Sequence, residues 1–279
     1  MTSAIEHIST DMTVTADAGL TLAALQTELA KGGQWLPIDP PSPGSLSIAN
    51  LLAHNLSGPR RFGYGTIRDY VIGLRVRLAD GRTIKCGGKV VKNVAGYDLQ
   101  KLFIGAGNTL GMIVEATFRL RPLPETEQFV QKPCATLADA GAAIAAVLDS
   151  PLTPTVLDLH GVKTNSTLLV LGFDGGTDEV GWQLARAREL GFLDTATLDY
   201  EKTFWATQPD SIRKMSVLPS KLIETIAQSG GGRFVARAGN GILYHDGAPE
   251  RPDNNLPVHL WQRAKKAFDP QGILDSLPS

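Results

Sequence analysis

The residue types able to hold a charged or aromatic ligand gather in two stretches. The first reads SGPRRFGYGTIRDY, where Gly58, Gly63 and Gly65 are interleaved with Arg60, Arg61 and Arg68. The second lies within residues 82–121, where Gly87, Gly88, Gly96, Gly105, Gly107 and Gly111 stand beside Lys89, Lys92 and Lys101. Glycine backbone takes positive φ and comes close to a ligand, so its amides can serve as donors. Guanidinium pairs bidentately with phosphate oxygens, although each of these arginines reads equally well as a solvated loop residue. Together they describe a glycine-rich, mildly basic ligand loop. Other chemistries find little support. GAGNTLG at 105–111 contains a GxG, but a strand follows it where a dinucleotide fingerprint requires a helix. The histidines at 7, 54, 160, 245 and 259 show no HxH or HxxxH spacing, so a protein-only zinc site is not expected. His160, in an apolar strand, reads as a satisfied core residue. The TNST run at 164–167 lacks a nucleophile context such as GxSxG. The residues alone name no catalytic group.

The elements that must position these loops are legible from periodicity. Val114, Ala116, Phe118 and Leu120 alternate with Glu115, Thr117, Arg119 and Arg121, the pattern of a strand with one dry face. Thr83 to Cys86 is a second strand, paired with Arg75 to Leu78 through Asp80-Gly81, a dipeptide suited to hairpin turns. Thr13 to Ala18 is a strand, and Thr21 to Lys31 a helix with Leu22, Leu25 and Leu29 on one face and Gly32 as its stop. WLPIDPPSPGS is a stiff extended connection, and Leu46 to Leu56 holds a short buried helix. Asp98 is expected to cap a short helix ending near Phe103.

After RPLPET at 121–126 the pattern changes. Strands at 128–132, 156–160, 167–173, 212–217, 233–236 and 241–245 alternate with helices at 136–148, 178–190 and 220–228. A final helix spans 258–268. Strand, helix, strand, strand twice over implies helices on one face of a mainly antiparallel sheet, an α+β class.

The chain has 279 residues, enough for one large or two modest domains with proper cores. Its 43% hydrophobic and 20% charged content is that of a globular protein, and its formal net charge of −1 argues against a nucleic-acid partner. Cys86 and Cys134 are too few for a disulfide framework and point to a reducing compartment. The first residues show no secretory pattern. No apolar run approaches the ~20 residues of a membrane span, so contact with a membrane is expected only through a partner, in a cytoplasmic setting.

GPRRFGYGTIRDYVIGLRVRLADGR followed by GGKVVKNVAGYDLQKLFIGAGNTLGMIVEATFRLRPLPE resembles the smaller, FAD-binding subunit of bacterial glycolate oxidase, among FAD-linked oxidases of the vanillyl-alcohol oxidase (PCMH-type) fold. The likeness is specific over 44–126. It continues more weakly through FWATQPDSIRKMSVLPSKL and through AKKAFDPQGIL. It implies a partial PCMH-type FAD-binding domain at 1–126, an α+β cap domain with an antiparallel sheet at 127–255, and a C-terminal helix and FDP turn at 256–279. It implies FAD as cofactor, with Ser47, Ile48, Ser57, Gly58, Tyr64, Gly65, Asp69, Gly111, Ile113 and Val114 along it and no metal. Arg60, Arg61 and Arg68 are its candidates for balancing a pyrophosphate. It further implies a small 2-hydroxy acid such as glycolate as substrate, and as partners a larger FAD-linked oxidase subunit and an iron–sulfur subunit. Three departures stand out. The family carries a glycine-rich pyrophosphate loop ahead of the position of Thr13, and too few residues precede Thr13 here for a βαβ unit. Ser47, Ile48, Ala49 and Asn50 stand where the family has Thr-Ile-Gly-Gly. Gly107 and Asn108 occupy the loop where the family tends to show Gly before Thr-Leu-Gly. Half the phosphate cradle is therefore expected to be absent, which leaves open a cofactor-free structural or regulatory subunit that docks a flavoprotein.

Overall fold

The computed structural model describes residues 4–88, 98–162, 166–206, 211–229, 232–246 and 258–276. Contacts divide the chain into two units: Met1–Ser57, Thr66–Leu123 and Asn255–Ser279 form the first, and Gly58–Gly65 with Pro124–Asn254 the second. Chain order in the first half is Ile5–Ile8 (β1), Thr13–Asp17 (β2), Leu22–Lys31 (α1), Gln34–Trp35 (β3), Ile48–Ala53 (α2), Arg61–Tyr64 (α3), Ile67–Tyr70 (α4), Val71–Arg77 (β4), Thr83–Gly87 (β5), Gln100–Phe103 (α5), Met112–Arg119 (β6) and Arg121–Pro122 (β7). The second half adds Thr126–Cys134 (β8), Leu137–Leu148 (α6), Val156–Val162 (β9), Ser166–Gly175 (β10), Thr177–Glu189 (α7), Asp194–Thr195 (β11), Asp199–Trp205 (α8), Arg213–Ser216 (β12), Leu222–Gln228 (α9), Arg233–Arg237 (β13), Ile242–His245 (β14) and Val258–Phe268 (α10).

In the first unit a five-stranded sheet runs β1-β2-β6-β4-β5, with every neighbouring pair antiparallel. The β4–β5 hairpin closes as Asp80-Gly81 predicts, pairing Arg77 with Thr83 and placing Gly81 at φ +84°. Thr21 caps α1 by accepting the Ala24 amide at 3.3 Å, and Leu22, Leu25 and Leu29 are fully buried. The strand alternation holds for Ala116, Phe118 and Leu120, all buried, but Ile113 rather than Val114 goes inside. The reason is a register shift: Arg75 faces Glu115 while Val76 faces Ile113, so β6 carries an extra residue there and its inward set moves by one. Asp98 does not cap α5. Leu99 holds that position without a side-chain bond, and the Asp98 carboxylate instead accepts from Lys101 at 2.7 Å and Gln100 at 3.2 Å. Lys265 on α10 donates to the carbonyls of Thr109, Leu274 and Asp275 and to Asp269, which fastens the C-terminal turn to this unit.

The second unit is an antiparallel sheet ordered β11-β8-β10-β9-β13-β14-β12. Along each strand alternate residues turn to opposite faces. Val130, Leu157, Leu159, Leu169, Leu171, Phe173, Phe234, Ala236 and Leu243 face one way and meet Ala140, Ala143 and Val147 of α6, Val180 and Ala187 of α7, and Leu222 and Ile226 of α9. This is the expected α+β layer. The α6 start is a capping box, Thr136 and Asp139 satisfying each other's amides. The opposite face carries Asp158, His160, Val235, Arg237 and Tyr244, and α8 packs on it through Phe204 with Tyr200 and Trp205 alongside.

Candidate functional site: the glycine turn and its cofactor

Residues 105–108 form a turn of left-handed backbone, with φ of +83° at Gly105, +58° at Gly107 and +60° at Asn108. The turn is seated on the end of α2: the Gly105 amide donates to the Leu52 carbonyl at 2.9 Å and that of Gly107 to Ala53 at 2.8 Å. A side-chain carbon at Gly107 would meet nothing within 4 Å, so this face of the turn is open. Beside it Asn55, itself left-handed at φ +46°, buries an Oδ1 that has no partner among the described residues, and the Oε1 of Gln100 is in the same state. Buried acceptors without donors are costly. Gly111 is closely packed, since a Cβ there would lie 2.5 Å from Val76 Cγ1.

Ser47, Ile48 and Val114 converge on one backbone node. The Ala18 amide donates to the Val114 carbonyl at 3.0 Å, and the Ala18 carbonyl accepts from Ala49 at 2.8 Å. Ile48 N–H donates to Leu20 at 2.9 Å, and Asn50 N–H to the Ser47 hydroxyl at 3.2 Å. These amides are therefore committed within the chain. Ile113 is buried next to the node, and Ser57 is buried in the same unit. Asp69 closes a capping box with Thr66, accepting its amide at 2.8 Å and its hydroxyl at 3.0 Å.

Gly58, Tyr64 and Gly65 belong to the second unit. Tyr64 donates its hydroxyl to Asp174 at 2.7 Å, Gly65 takes φ +81°, and the Gly63 amide donates to Thr155 at 3.0 Å. Arg60 is spent on Glu127, with contacts of 2.8, 2.6 and 2.6 Å, which removes it from the candidates for a pyrophosphate. Arg68 stays exposed, its charge helping to keep the Asp98 carboxyl below its usual range after the larger effect of Lys101. Lys89, Lys92, Gly96 and Tyr97, and with them the whole KNVAGY stretch, lie outside the described residues.

A charged cluster that sequence reasoning missed sits in the second unit. Arg237 is hydrogen-bonded to Asp158 and, at 2.7 and 2.9 Å, to Glu201; Tyr200 donates to Asp158 at 2.6 Å and Trp205 to Glu201 at 3.0 Å. Burial pushes Asp158 up to about 7, against the pull of Arg237 and with Glu201 adding to the rise. His160 stacks on Tyr200 at 4.1 Å, and burial lowers it to about 4, so its ring is neutral. The expected core histidine instead borders a cavity of about 290 Å³ with Gln131, Thr195, Thr197 and Tyr200. The available signal was an acid and an arginine alternating with the core residues of two apolar strands, LDL and VAR.

FAD fits the first unit in its acceptors and its room. The open side of Gly107 leaves space, and the Asn55 and Gln100 carbonyl oxygens offer buried acceptors for ligand N–H or O–H groups. Comparison with known proteins agrees. The FAD binding domain family matches residues 1–87. The chain is 30% identical to the glycolate oxidase subunit GlcE of Escherichia coli, covering 97% of this chain and 83% of that protein. It is 34% identical to the glycolate oxidase subunit GlcD of Bacillus subtilis over 61% of this chain, and 39% identical to a D-lactate dehydrogenase of Archaeoglobus fulgidus over 44%. It spans 36% and 28% of those two relatives. A solved alkyldihydroxyacetonephosphate synthase shares the fold at TM-score 0.74 and 16% identity, over 96% of this chain and 64% of that one. The chain belongs to the FAD-linked oxidase family that includes the glycolate oxidase subunit GlcE.

Proposed function

We propose that this chain is the FAD-binding subunit of a glycolate oxidase-type or glycolate dehydrogenase-type complex that oxidises a 2-hydroxy acid, such as glycolate to glyoxylate. The observation that carries the reading is the open glycine turn at 105–108 with the orphaned acceptor of Asn55 beside it and that of Gln100 near Gly87 in the same unit, in a chain aligned with GlcE over 97% of its length. Bound FAD supplies a two-electron acceptor for the C–H bond of the hydroxy acid. In this reading Ser47, Ile48, Ser57, Gly111, Ile113 and Val114 shape the cofactor's bed in 1–126. Tyr64, between Gly58 and Gly65, is held by Asp174 within the second unit, and Asp69 holds α4 of the first through its capping box. Residues 127–255 form an α+β domain of the cap type with an antiparallel sheet, and 256–279 a C-terminal helix and FDP turn. Among the described residues no group of three histidine, cysteine or acidic side chains is placed to hold a metal. In this reading the groups that bind the hydroxy acid belong to a larger FAD-linked oxidase subunit, and an iron–sulfur subunit receives electrons. No described helix is long and apolar enough to cross a membrane, so membrane association would run through those partners.

Titration of FAD into the purified chain, alone and with its co-purified partners, followed by flavin absorbance and fluorescence, tests this. Stoichiometric uptake attributable to this chain is expected, and a colourless chain that takes up no FAD in either state overturns it. A second reading, a cofactor-free docking subunit, is favoured by the internal commitment of the Ile48, Ala49 and Asn50 amides. It requires a flavoprotein partner to co-purify while this chain binds none itself.

A further inference from the structure

Among its described residues the second unit buries more negative than positive charge. Asp158, Glu201 and Arg237 sum to −1 when ionised, and their side chains are 1%, 10% and 2% exposed. Arg237 and Trp205 satisfy Glu201, whereas Asp158 has Arg237 and Tyr200 on Oδ2 and no partner on Oδ1 among the described residues. A buried carboxylate oxygen without a donor in a cluster of net negative charge is best relieved by a proton. Three elements meet through this cluster: Asp158 and Arg237 are cross-strand partners on β9 and β13, while Tyr200 and Glu201 come from α8. The other charged or titratable groups facing it are His160 on β9, whose neutral ring stacks on Tyr200, and Tyr244 on β14, whose ring lies 5.7 Å from the Arg237 guanidinium. Arg233 is turned to Asp246 and the Phe204 ring, and Arg61 adds its field at Tyr244.

We propose that this cluster is a proton-operated latch for α8, holding the helix on the sheet while Asp158 carries a proton and loosening it, with the cavity wall formed by Tyr200 and His160, when that proton leaves. The inference is independent of FAD. The sign follows from linkage. Asp158 is held at about 7 when docked and returns to the ordinary carboxylate range of about 4 when exposed. The docked state therefore binds the extra proton between those values, and docking weakens as pH rises from about 4 to about 7 and is level above.

Hydrogen exchange of the full chain between pH 5 and 8.5, corrected for intrinsic rates, reads this directly at the α8 amides of 199–206, with α7 as the internal reference. Protection of α8 relative to α7 is expected to fall by up to about tenfold per pH unit until about pH 7 and then to stay level. D158N, which places a neutral amide at the orphaned position, should remove the dependence. Should D158N not fold, Y200F serves: loss of its hydroxyl donor to Asp158 should move the break to higher pH. Equal behaviour of α8 and α7 in the wild type, a pH step that survives in D158N, or an unmoved break in Y200F overturns the proposal.

Discussion

Replacing Arg237 by alanine isolates the energetics of the buried cluster. Its side chain is 2% exposed, and its guanidinium is shared between Asp158 and Glu201, so the substitution leaves two buried carboxylates facing each other with, among the described residues, Tyr200 and Trp205 as donors. Removing one partner of a buried ion pair costs about 3–5 kcal/mol, because the remaining charge has neither solvent nor counterion. A loss of that size takes a large part of a typical domain's total stability of about 5–15 kcal/mol. The loss should be largest at pH 8 and smaller at pH 5. Arg237 pulls the Asp158 titration down, so without it the carboxyl takes up a proton more readily and acid relieves the penalty. Urea unfolding followed by far-UV circular dichroism and tryptophan fluorescence measures both effects. The triple variant D158N/E201Q/R237M, which removes charge from all three positions, should recover most of the loss. K202A is the surface control: Lys202 pairs with Asp199 at 2.9 Å with both side chains largely exposed, and its removal should cost less than about 0.5 kcal/mol. If R237A unfolds within about 1 kcal/mol of wild type at pH 8, the cluster is hydrated and the argument for a buried network fails.

Four further outcomes are expected. T136A removes one half of the α6 capping box and should destabilise the second unit by about 1 kcal/mol in the same urea experiment. G241A forces a Cβ to within 2.0 Å of the Val217 carbonyl at a φ of +68°, and should cost at least about 2 kcal/mol or prevent folding, seen as loss of soluble yield. Asp269 is held at about 2 by Lys265 and by the amides of Ile273 and Leu274, so the C-terminal turn is fully fastened above about pH 4 and opens as pH falls through about 2. Amide chemical shifts of Ile273 and Leu274 report that opening, and K265A should bring it to higher pH. G107V fills the open side of the glycine turn and should weaken FAD uptake at least about tenfold by fluorescence titration, with the unfolding of the second unit unchanged.

Sequence alone determined what rests on neighbours within a few residues. The Asp80-Gly81 hairpin, the helices opening at Thr21 and at 136, the leucine face of α1 and the span of α10 each depend on short-range backbone and side-chain geometry, and all are formed where the residues place them. The ligand loop was legible as composition, and its family likeness as spaced motifs over 44–126. Tertiary structure decided the rest. Only the β4–β6 register shift turns Ile113 inward in place of Val114, because an added residue on one strand is invisible to its own alternation. Only packing against β8, β9 and β10 ties Arg60 to Glu127 and Tyr64 to Asp174, residues 67 and 110 positions apart. Asp158 and Arg237 lie 79 positions apart, each looking like a single misplaced charge in an apolar strand. Electrostatic partnership depends on distance through space, and the chain records only distance along itself; the sheet converts one into the other.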